Sequence, residues 1–229
     1  MTQSPVIVAL DVESATEART LIAALGDSAS FYKVGLEVYT SAGMDFVREL
    51  KAQGHRVFLD LKLYDIGETV KRAVAQVARA GADFLTVHGS RAVMQAAVSG
   101  NAGGRLQLLA VTVLTSFDES DLRQMGYPCS VSELVELRVR NAMEAGVNGI
   151  VCSPVEVARV RGITGPDAIL VTPGVRSAGA AVGDQKRVAT PAEAMANGAN
   201  YLVIGRQVTR AADPRGEMLK ILDEIRAAN

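Results

Sequence analysis

Residues 58–66 read Phe-Leu-Asp-Leu-Lys-Leu-Tyr-Asp-Ile and place charged side chains at the end of an apolar strand. Because side chains alternate along a β-strand, Asp60 and Lys62 are predicted on one face, while the leucines around them take the other. A buried charge destabilises a fold unless it is paired or used in function. The stretch therefore predicts either an ion pair that closes a core strand or part of a catalytic site.

Similar apolar runs recur along the chain and alternate with segments of helical period. One such helix is predicted over residues 69–79, where Val70, Val74 and Val77 form an apolar stripe. Most of the apolar runs are continuous, which is typical of parallel strands covered on both faces. The predicted strands are 6–11, 31–37, 57–62, 84–88, 106–114, 149–153, 169–173 and 201–205.

Eight β-α units in 229 residues predict an α/β protein with the (β/α)8 TIM-barrel fold. Such barrels take about 250 residues, and doubly wound sheets usually have fewer strands. No linker or change in composition divides the chain, so we predict a single catalytic domain over residues 1–229. Active sites of barrels form at the carboxyl ends of strands. The polar residues expected there are Asp11, Asp60, Lys62, His88, Thr115, Ser116, Arg176 and Arg206, with Gly205 next to Arg206 at the end of the eighth strand.

Bulk composition excludes several classes of function. A net charge of −1 and a pI near 6.2 give no basic field for nucleic acid or an anionic membrane surface. No apolar run approaches the roughly 18 residues that a membrane span needs, and the N-terminus has no signal-peptide pattern. Cys129 and Cys152 lack metal-binding spacing, so we expect neither a disulfide framework nor a metal site. These features predict a cytoplasmic protein.

Four charged residues alternate in sign if the second and third strands are neighbours: Lys33, Asp60, Lys62 and Asp65. Each ammonium would keep a carboxylate ionised, and each carboxylate would keep a lysine protonated. Lys62 is then a candidate general acid. Asp65 follows Lys62 by three residues, so simple alternation points it away from Asp60. Asp65 therefore either swings back or serves the site of another subunit.

Two segments late in the chain are candidates for phosphate binding. Gly205 lets backbone amides approach an anion and Arg206 offers a fork of donors, at the strand where barrels often bind phosphate. Residues 176–189 are small and polar, and we predict a lid with Arg176 and Gln185 as phosphate donors. The alternatives are a turn with a solvated arginine at Gly205-Arg206 and a disordered surface loop at residues 176–189. His88 is interpreted as a hydrogen-bonded rim residue rather than a base.

Taken in order, these residues resemble the orotidine 5′-monophosphate decarboxylase family along nearly the whole chain. The resemblance implies cofactor-free loss of CO2 from C6 of orotidine 5′-monophosphate, which gives UMP in de novo pyrimidine biosynthesis. The stretches that carry it are Val-Ala-Leu-Asp11, Tyr-Lys33-Val-Gly-Leu-Glu, the Asp-x-Lys-x-x-Asp signature at 60–65, Thr86-Val87-His88, Leu114-Thr115-Ser116, Thr172-Pro173-Gly174-Val175-Arg176 and Ile204-Gly205-Arg206.

The resemblance also implies roles for individual residues. Asp60 would lie beside the substrate carboxylate, Lys62 would deliver a proton to C6, and Lys33 would orient the charged array and contact ribose. Asp65 and Thr69 would cross to the partner's site in a homodimer. The other implied contacts join Asp11 to a ribose hydroxyl, Thr115 to the pyrimidine, and Arg176, Gln185, Gly205 and Arg206 to the phosphate.

Two alternative functions are considered. A Mg²⁺-dependent phosphosugar decarboxylase or aldolase of the same superfamily resembles the third-strand motif, but its pattern has an acidic residue where this chain has Lys33. A lysine there would repel Mg²⁺, which needs oxygen ligands. A non-catalytic nucleotide-binding barrel would use only Gly205 and Arg206, and it leaves the Lys33, Asp60 and Lys62 set unexplained. We therefore favour the metal-free decarboxylase.

Overall fold

The computed structural model describes residues 4–178 and 189–228. Within these residues, eight parallel strands pair in chain order, and the last pairs with the first to close a barrel. The predicted (β/α)8 architecture is therefore confirmed. The strands are β1 (Val6–Ala9), β2 (Phe31–Gly35), β3 (Arg56–Leu63), β4 (Phe84–His88), β5 (Gln107–Val111), β6 (Gly149–Val151), β7 (Ile169–Pro173) and β8 (Tyr201–Ile204).

Several strands end earlier than the apolar pattern predicts. Strand β1 stops at Ala9 instead of residue 11, and β5 stops at Val111 instead of residue 114. Strand β2 stops at Gly35 because helix α2 begins at the next residue. Asp11 and Thr115 thus lie in the loops that follow these strands. Asp60 and Lys62 stay within β3, and His88 is the last residue of β4.

The helices alternate with the strands and cover the barrel. Capping boxes begin some of them, as where Ser130 and Glu133 satisfy each other's backbone N–H groups. No described helix is both long and apolar enough to cross a bilayer. The helices are α1 (Ala15–Leu25), α2 (Leu36–Ala52), α3 (Gly67–Arg79), α4 (Arg91–Gly100), α5 (Glu119–Gln124), α6 (Val131–Ala145), α7 (Val157–Thr164), α8 (Pro191–Ala196), α9 (Arg206–Thr209) and α10 (Pro214–Ala227), with a 3₁₀ turn at Gly26–Ser28.

The core has two apolar layers, one inside the barrel and one between strands and helices. The predicted helix over 69–79 contributes Val70, Val74 and Val77 to the outer layer, and it begins two residues earlier, at Gly67. Aromatic rings fill the interior toward the amino ends of the strands, so the polar site is confined to the opposite end. The inner layer consists of Ile7, Ala9, Phe31, Phe58, Phe84, Leu109, Val171 and Val203.

Candidate active site

A cavity of about 650 Å³ opens at the carboxyl ends of the strands. This volume is suited to a drug-sized or nucleotide-sized ligand. Apolar side chains such as Phe58, Val151 and Pro173 form part of its wall. The predicted site residues that line it are Asp11, Lys33, Asp60, Lys62, Thr115, Arg176, Gly205 and Arg206.

Charges of alternating sign run across one side of this cavity. Lys33 Nζ lies 2.8 Å from Asp11 Oδ1 and 3.6 Å from Asp60 Oδ2. Lys62 Nζ donates to both oxygens of Asp60 at 3.0 Å. Strands β2 and β3 are neighbours, as the sequence argument required. The structure therefore brings Lys33, Asp60 and Lys62 together, and Asp11 extends the array in place of Asp65.

The central pair of this array is held in its charged form. Burial acts to lower the pKa of Lys33, but the Asp60 and Asp11 carboxylates outweigh it and raise the pKa overall. Burial likewise acts to raise the pKa of Asp60, but the two lysine charges and hydrogen bonds from Lys62 and Thr86 lower it overall. Both side chains are nearly covered, with 10% and 13% exposed. Lys33 and Asp60 thus form a buried pair that is ionised at neutral pH.

Lys62 has an unusual backbone conformation. Its φ of 50° lies in the left-handed region, which costs a residue with a side chain about 1–3 kcal/mol. The pairing of β3 with β4 shifts register between Leu59 and Leu63. Thr86 on β4 accepts a hydrogen bond from the Lys62 backbone N–H at 2.9 Å. The sequence predicted no role for Thr86, although this residue opens the Thr86-Val87-His88 stretch that carries part of the family resemblance.

Asp65 and Thr69 do not line the cavity of their own chain. The Asp65 side chain is exposed, and its Oδ1 accepts a hydrogen bond from the Ile66 backbone N–H at 2.6 Å. Thr69 lies half-buried in the first turn of α3. Asp65 therefore does not swing back toward Asp60, and the first of the two alternatives considered for it does not occur in this structure.

The opposite side of the cavity carries positive charge. Burial and the neighbouring Arg206 guanidinium lower the pKa of Arg176, so two cations lie close enough to repel each other. Thr209 and Arg210 also line this side, and sequence reasoning missed both. An anion bound here would relieve the repulsion, which is the behaviour expected of a phosphate site.

The predicted lid lies largely outside the described residues, and Gln185 is among those not described. Its two ends are close together, because Arg176 N donates to Ala189 O at 3.0 Å and Val175 pairs with Ala189. Arg176 and Ala189, the two ends of the predicted lid, therefore lie next to each other on the arginine side of the cavity. The lid and the role of Gln185 stay predictions.

His88 lies at the rim but does not line the cavity. Its ring stacks on Tyr64 with centroids 4.1 Å apart, and its buried Nδ1 has no hydrogen-bond partner among the described residues. Burial and the Arg138 charge lower the pKa of His88. The expected rim position is present, but its contact with Tyr64 is stacking rather than the expected hydrogen bond.

Comparison with known proteins is consistent with this geometry. The family model described as "Orotidine 5'-phosphate decarboxylase / HUMPS family" matches residues 4–221. The chain belongs to this family. It is 54% identical to an orotidine 5′-phosphate decarboxylase of Rhodopseudomonas palustris, covering 96% of this chain and 93% of that protein. A Caulobacter orotidine 5′-phosphate decarboxylase is 51% identical, covering 96% of each.

Two solved structures share the fold. The crystal structure of orotidine 5′-phosphate decarboxylase from Lactobacillus acidophilus superposes with a TM-score of 0.87 at 34% identity, covering 97% of this chain and 99% of that one. The crystal structure of an uncharacterized conserved protein from Geobacillus kaustophilus superposes with a TM-score of 0.84 at 38% identity, covering 96% of this chain and 100% of that one. The similarity to decarboxylases thus extends over the whole barrel, including both sides of the cavity.

Proposed function

We propose that this chain decarboxylates orotidine 5′-monophosphate at C6 to give UMP and CO2 in pyrimidine biosynthesis, without a metal or organic cofactor. Relatives that are about half identical over nearly the full chain carry this enzyme name. The observation that carries the proposal is the chain of alternating charges at the cavity wall, which runs from Asp11 through the buried pair Lys33 and Asp60 to Lys62. A phosphosugar enzyme that binds Mg²⁺ would have no use for an ammonium at the centre of its site.

The chemistry follows from the position of Lys62. Breaking the bond between C6 and the carboxylate releases CO2 and leaves an electron pair on C6. The Lys62 ammonium stabilises this developing charge and transfers a proton to C6, which completes UMP and leaves a neutral amine that water reprotonates. General acids of this kind contribute about 10²–10⁴-fold. Asp60 would lie beside the departing carboxylate and disfavour the bound ground state.

The array is pre-organised for this step. Asp60 holds the Lys62 ammonium with both oxygens, and Lys33 in turn faces Asp60 and Asp11. Charges fixed before the reaction need no reorganisation when the transition state forms, which is how electrostatic catalysis obtains most of its effect. Lys33 and Asp11 would also contact the ribose hydroxyls, and Thr115 the pyrimidine.

The arginine side of the cavity would bind the substrate phosphate. Arg176 and Arg206 supply charge, and Gly205 leaves room for the anion beside the backbone. Binding a non-reacting dianion can supply free energy that organises the charged array at the other side of the cavity. Substrate without phosphate should therefore lose turnover as well as affinity. Gln185 would join this set from the lid.

We also propose a homodimer in which Asp65 and Thr69 complete the partner's site. Asp65 makes no contact with the array of its own chain, and the residues on either side of it are apolar and exposed. Tyr64 is 68% exposed and Ile66 is 72% exposed, with Leu36 of the cavity rim at 58%. Large exposed apolar areas commonly mark protein interfaces, and these exposed side chains beside Asp65 support the proposed dimer. The cytoplasmic location expected from the sequence stays a prediction.

Subunit mixing tests the shared site. Inactive D65A and K62A subunits are mixed under conditions in which exchange is verified by mass. If Asp65 acts across the interface, each heterodimer regains one native site, because the D65A subunit keeps Lys62 and receives Asp65 from its partner. No recovery despite verified exchange would place Asp65 outside the partner's site.

The function itself is tested by treating the protein with EDTA and following the absorbance of orotidine 5′-monophosphate, with UMP identified as product. Turnover without metal is the expected result. Absence of this turnover, together with activity on a phosphosugar that appears only after Mg²⁺ is added, would transfer the chain to the metal-dependent members of its superfamily.

A further inference from the structure

Thr86 connects the two charged residues of strand β3 through one hydroxyl group. Its side chain is fully buried on β4, beside the carboxyl end of β3. The hydroxyl accepts a hydrogen bond from the Lys62 backbone N–H at 2.9 Å and donates one to Asp60 Oδ1 at 2.8 Å. The backbone of the proposed proton donor is thereby joined to the carboxylate that holds its ammonium.

The irregular pairing of β3 with β4 explains why a side chain is needed here. Leu59 pairs with Leu85 and Leu63 pairs with Val87, so three residues of β3 face Thr86 alone. This is a bulge, which re-aims a side chain and leaves ladder hydrogen bonds unmade. Lys62 is the one described non-glycine residue with positive φ. The Thr86 hydroxyl supplies the acceptor that the Lys62 N–H lacks in the ladder.

A hydroxyl is suited to this double contact because it donates one hydrogen bond and accepts others at the same time. Valine has nearly the same shape but offers neither group. Serine keeps the hydroxyl and loses only the methyl group. Comparing threonine, serine and valine at position 86 therefore distinguishes the effect of the hydrogen bonds from the effect of packing in the core.

We propose that Thr86 is a positioning residue for the decarboxylation, acting by holding Asp60 and the Lys62 bulge in one geometry. The inference rests on the proposed function and deepens it. Without the hydroxyl, the Asp60 carboxylate and the Lys62 main chain each lose a fixed partner, so the ammonium is less well placed at C6. Phosphate binding on the arginine side of the cavity is untouched, so kcat falls while KM changes little.

The test compares T86V with T86S and wild type in the metal-free assay. T86V lowers kcat by about 10–100-fold with KM within about threefold, as expected when an interaction made in the transition state is removed. T86S stays within about threefold of wild type in kcat. Thr172 provides the matched control, because it is also a fully buried strand threonine and its hydroxyl has no hydrogen-bond partner among the described residues. T172V keeps wild-type kcat.

Two results would overturn the inference: a T86V enzyme with kcat within about threefold of wild type, or a T86S enzyme as impaired as T86V. If T86V is insoluble, T86A is compared with T86S, because both variants lose the methyl group and only T86S keeps the hydroxyl. Equal kcat in these two variants would then contradict the inference. Wild-type protein that fails to turn over the substrate refutes the proposed function itself, which separates the two failures.

Discussion

Strand β3 carries charge at both of its ends, and the fold uses the two ends differently. At the amino end, the Arg56 guanidinium lies 4.0 Å from the centroid of the Phe31 ring, and Lys51 Nζ lies 2.6 Å from Asp83 Oδ2. At the carboxyl end, Asp60 and Lys62 pair at 3.0 Å beside a cavity of about 650 Å³. Both ends hold ion pairs, but only the pair at the carboxyl end lines the larger cavity.

The difference distinguishes charges that stabilise the fold from charges that face the cavity and can take part in the reaction. Asp83 also accepts the Val57 backbone N–H at 2.8 Å, so its partners belong to the scaffold. Lys62 keeps 38% of its side chain exposed toward the cavity, and its backbone is strained. Backbone strain at a charge that faces a cavity is typical of functional sites, and an ion pair that only stabilises the fold does not need it. The following variants challenge this contrast, from the largest expected effect to the smallest.

Replacing Asp60 tests the carboxyl end at its centre. D60N removes the charge that holds both lysines, and we expect kcat to fall by about 10²–10³-fold, the usual effect of deleting one pre-organised electrostatic group. The measurement is steady-state kinetics in EDTA, with circular dichroism to verify folding. Retention of kcat within about tenfold of wild type would show that the array is not the centre of the chemistry.

Replacing Arg206 tests the phosphate side. R206A removes a charge-assisted hydrogen-bond donor worth about 1.5–3 kcal/mol, so kcat/KM should fall by about 10–150-fold. Since the phosphate contact is proposed to organise the site, part of this loss should appear in kcat. Addition of a guanidinium salt provides the control, because rescue of R206A but not of D60N assigns the loss to the missing cation. An unchanged kcat/KM would remove Arg206 from the site.

Replacing Asp83 tests the amino end. D83N breaks the pair with Lys51 and weakens the contact with Val57 N, and removal of one partner of a fully buried pair costs about 3–5 kcal/mol. Asp83 is 27% exposed, so solvent reduces the expected loss to about 1–3 kcal/mol in the free energy of unfolding. Urea unfolding measures this loss, and kcat should stay within about threefold. A large loss of kcat in the folded variant would contradict the division of roles between the two ends.

The pH dependence of stability gives the smallest effect. The pKa of Asp60 is lower than its ordinary value of 3.8, because the lysine charges and hydrogen bonds outweigh burial. A carboxyl whose pKa is lowered by folding stabilises the fold above its unfolded pKa, and this stability is lost as pH falls through the folded pKa. The difference in unfolding free energy between wild type and D60N should therefore be constant near neutrality and change only below about pH 4. If this difference already changed between about pH 5 and 7, the lowered pKa of Asp60 would be contradicted.

Much of this organisation was predictable from the sequence, because periodicity reports burial. The alternation of apolar runs with helical segments predicts the barrel, and polar residues after each run predict which side chains meet at its rim. Lys33, Asp60 and Arg206 all line the cavity as expected. These predictions needed only the rule that parallel strands end at the same side of a sheet.

The parts that were not predictable depend on departures from regular geometry. Strict alternation describes a uniform strand, so it gives no sign of the bulge or of the positive φ at Lys62. The role of Thr86 exists only because that bulge leaves a backbone N–H to satisfy. The extra cavity residue Arg210 comes from α9, a four-residue helix too short to produce a periodic pattern, whose cap it forms.

The most direct test of the account is the turnover of K62A, measured in EDTA with UMP identified as product and with UMP binding followed by calorimetry. The account predicts that kcat falls by at least about 10³-fold while the protein stays folded and still binds UMP, because the proton donor is lost and the arginine side is intact. Near-normal turnover by folded K62A would contradict the claim that the strained lysine at the carboxyl end of β3 protonates C6.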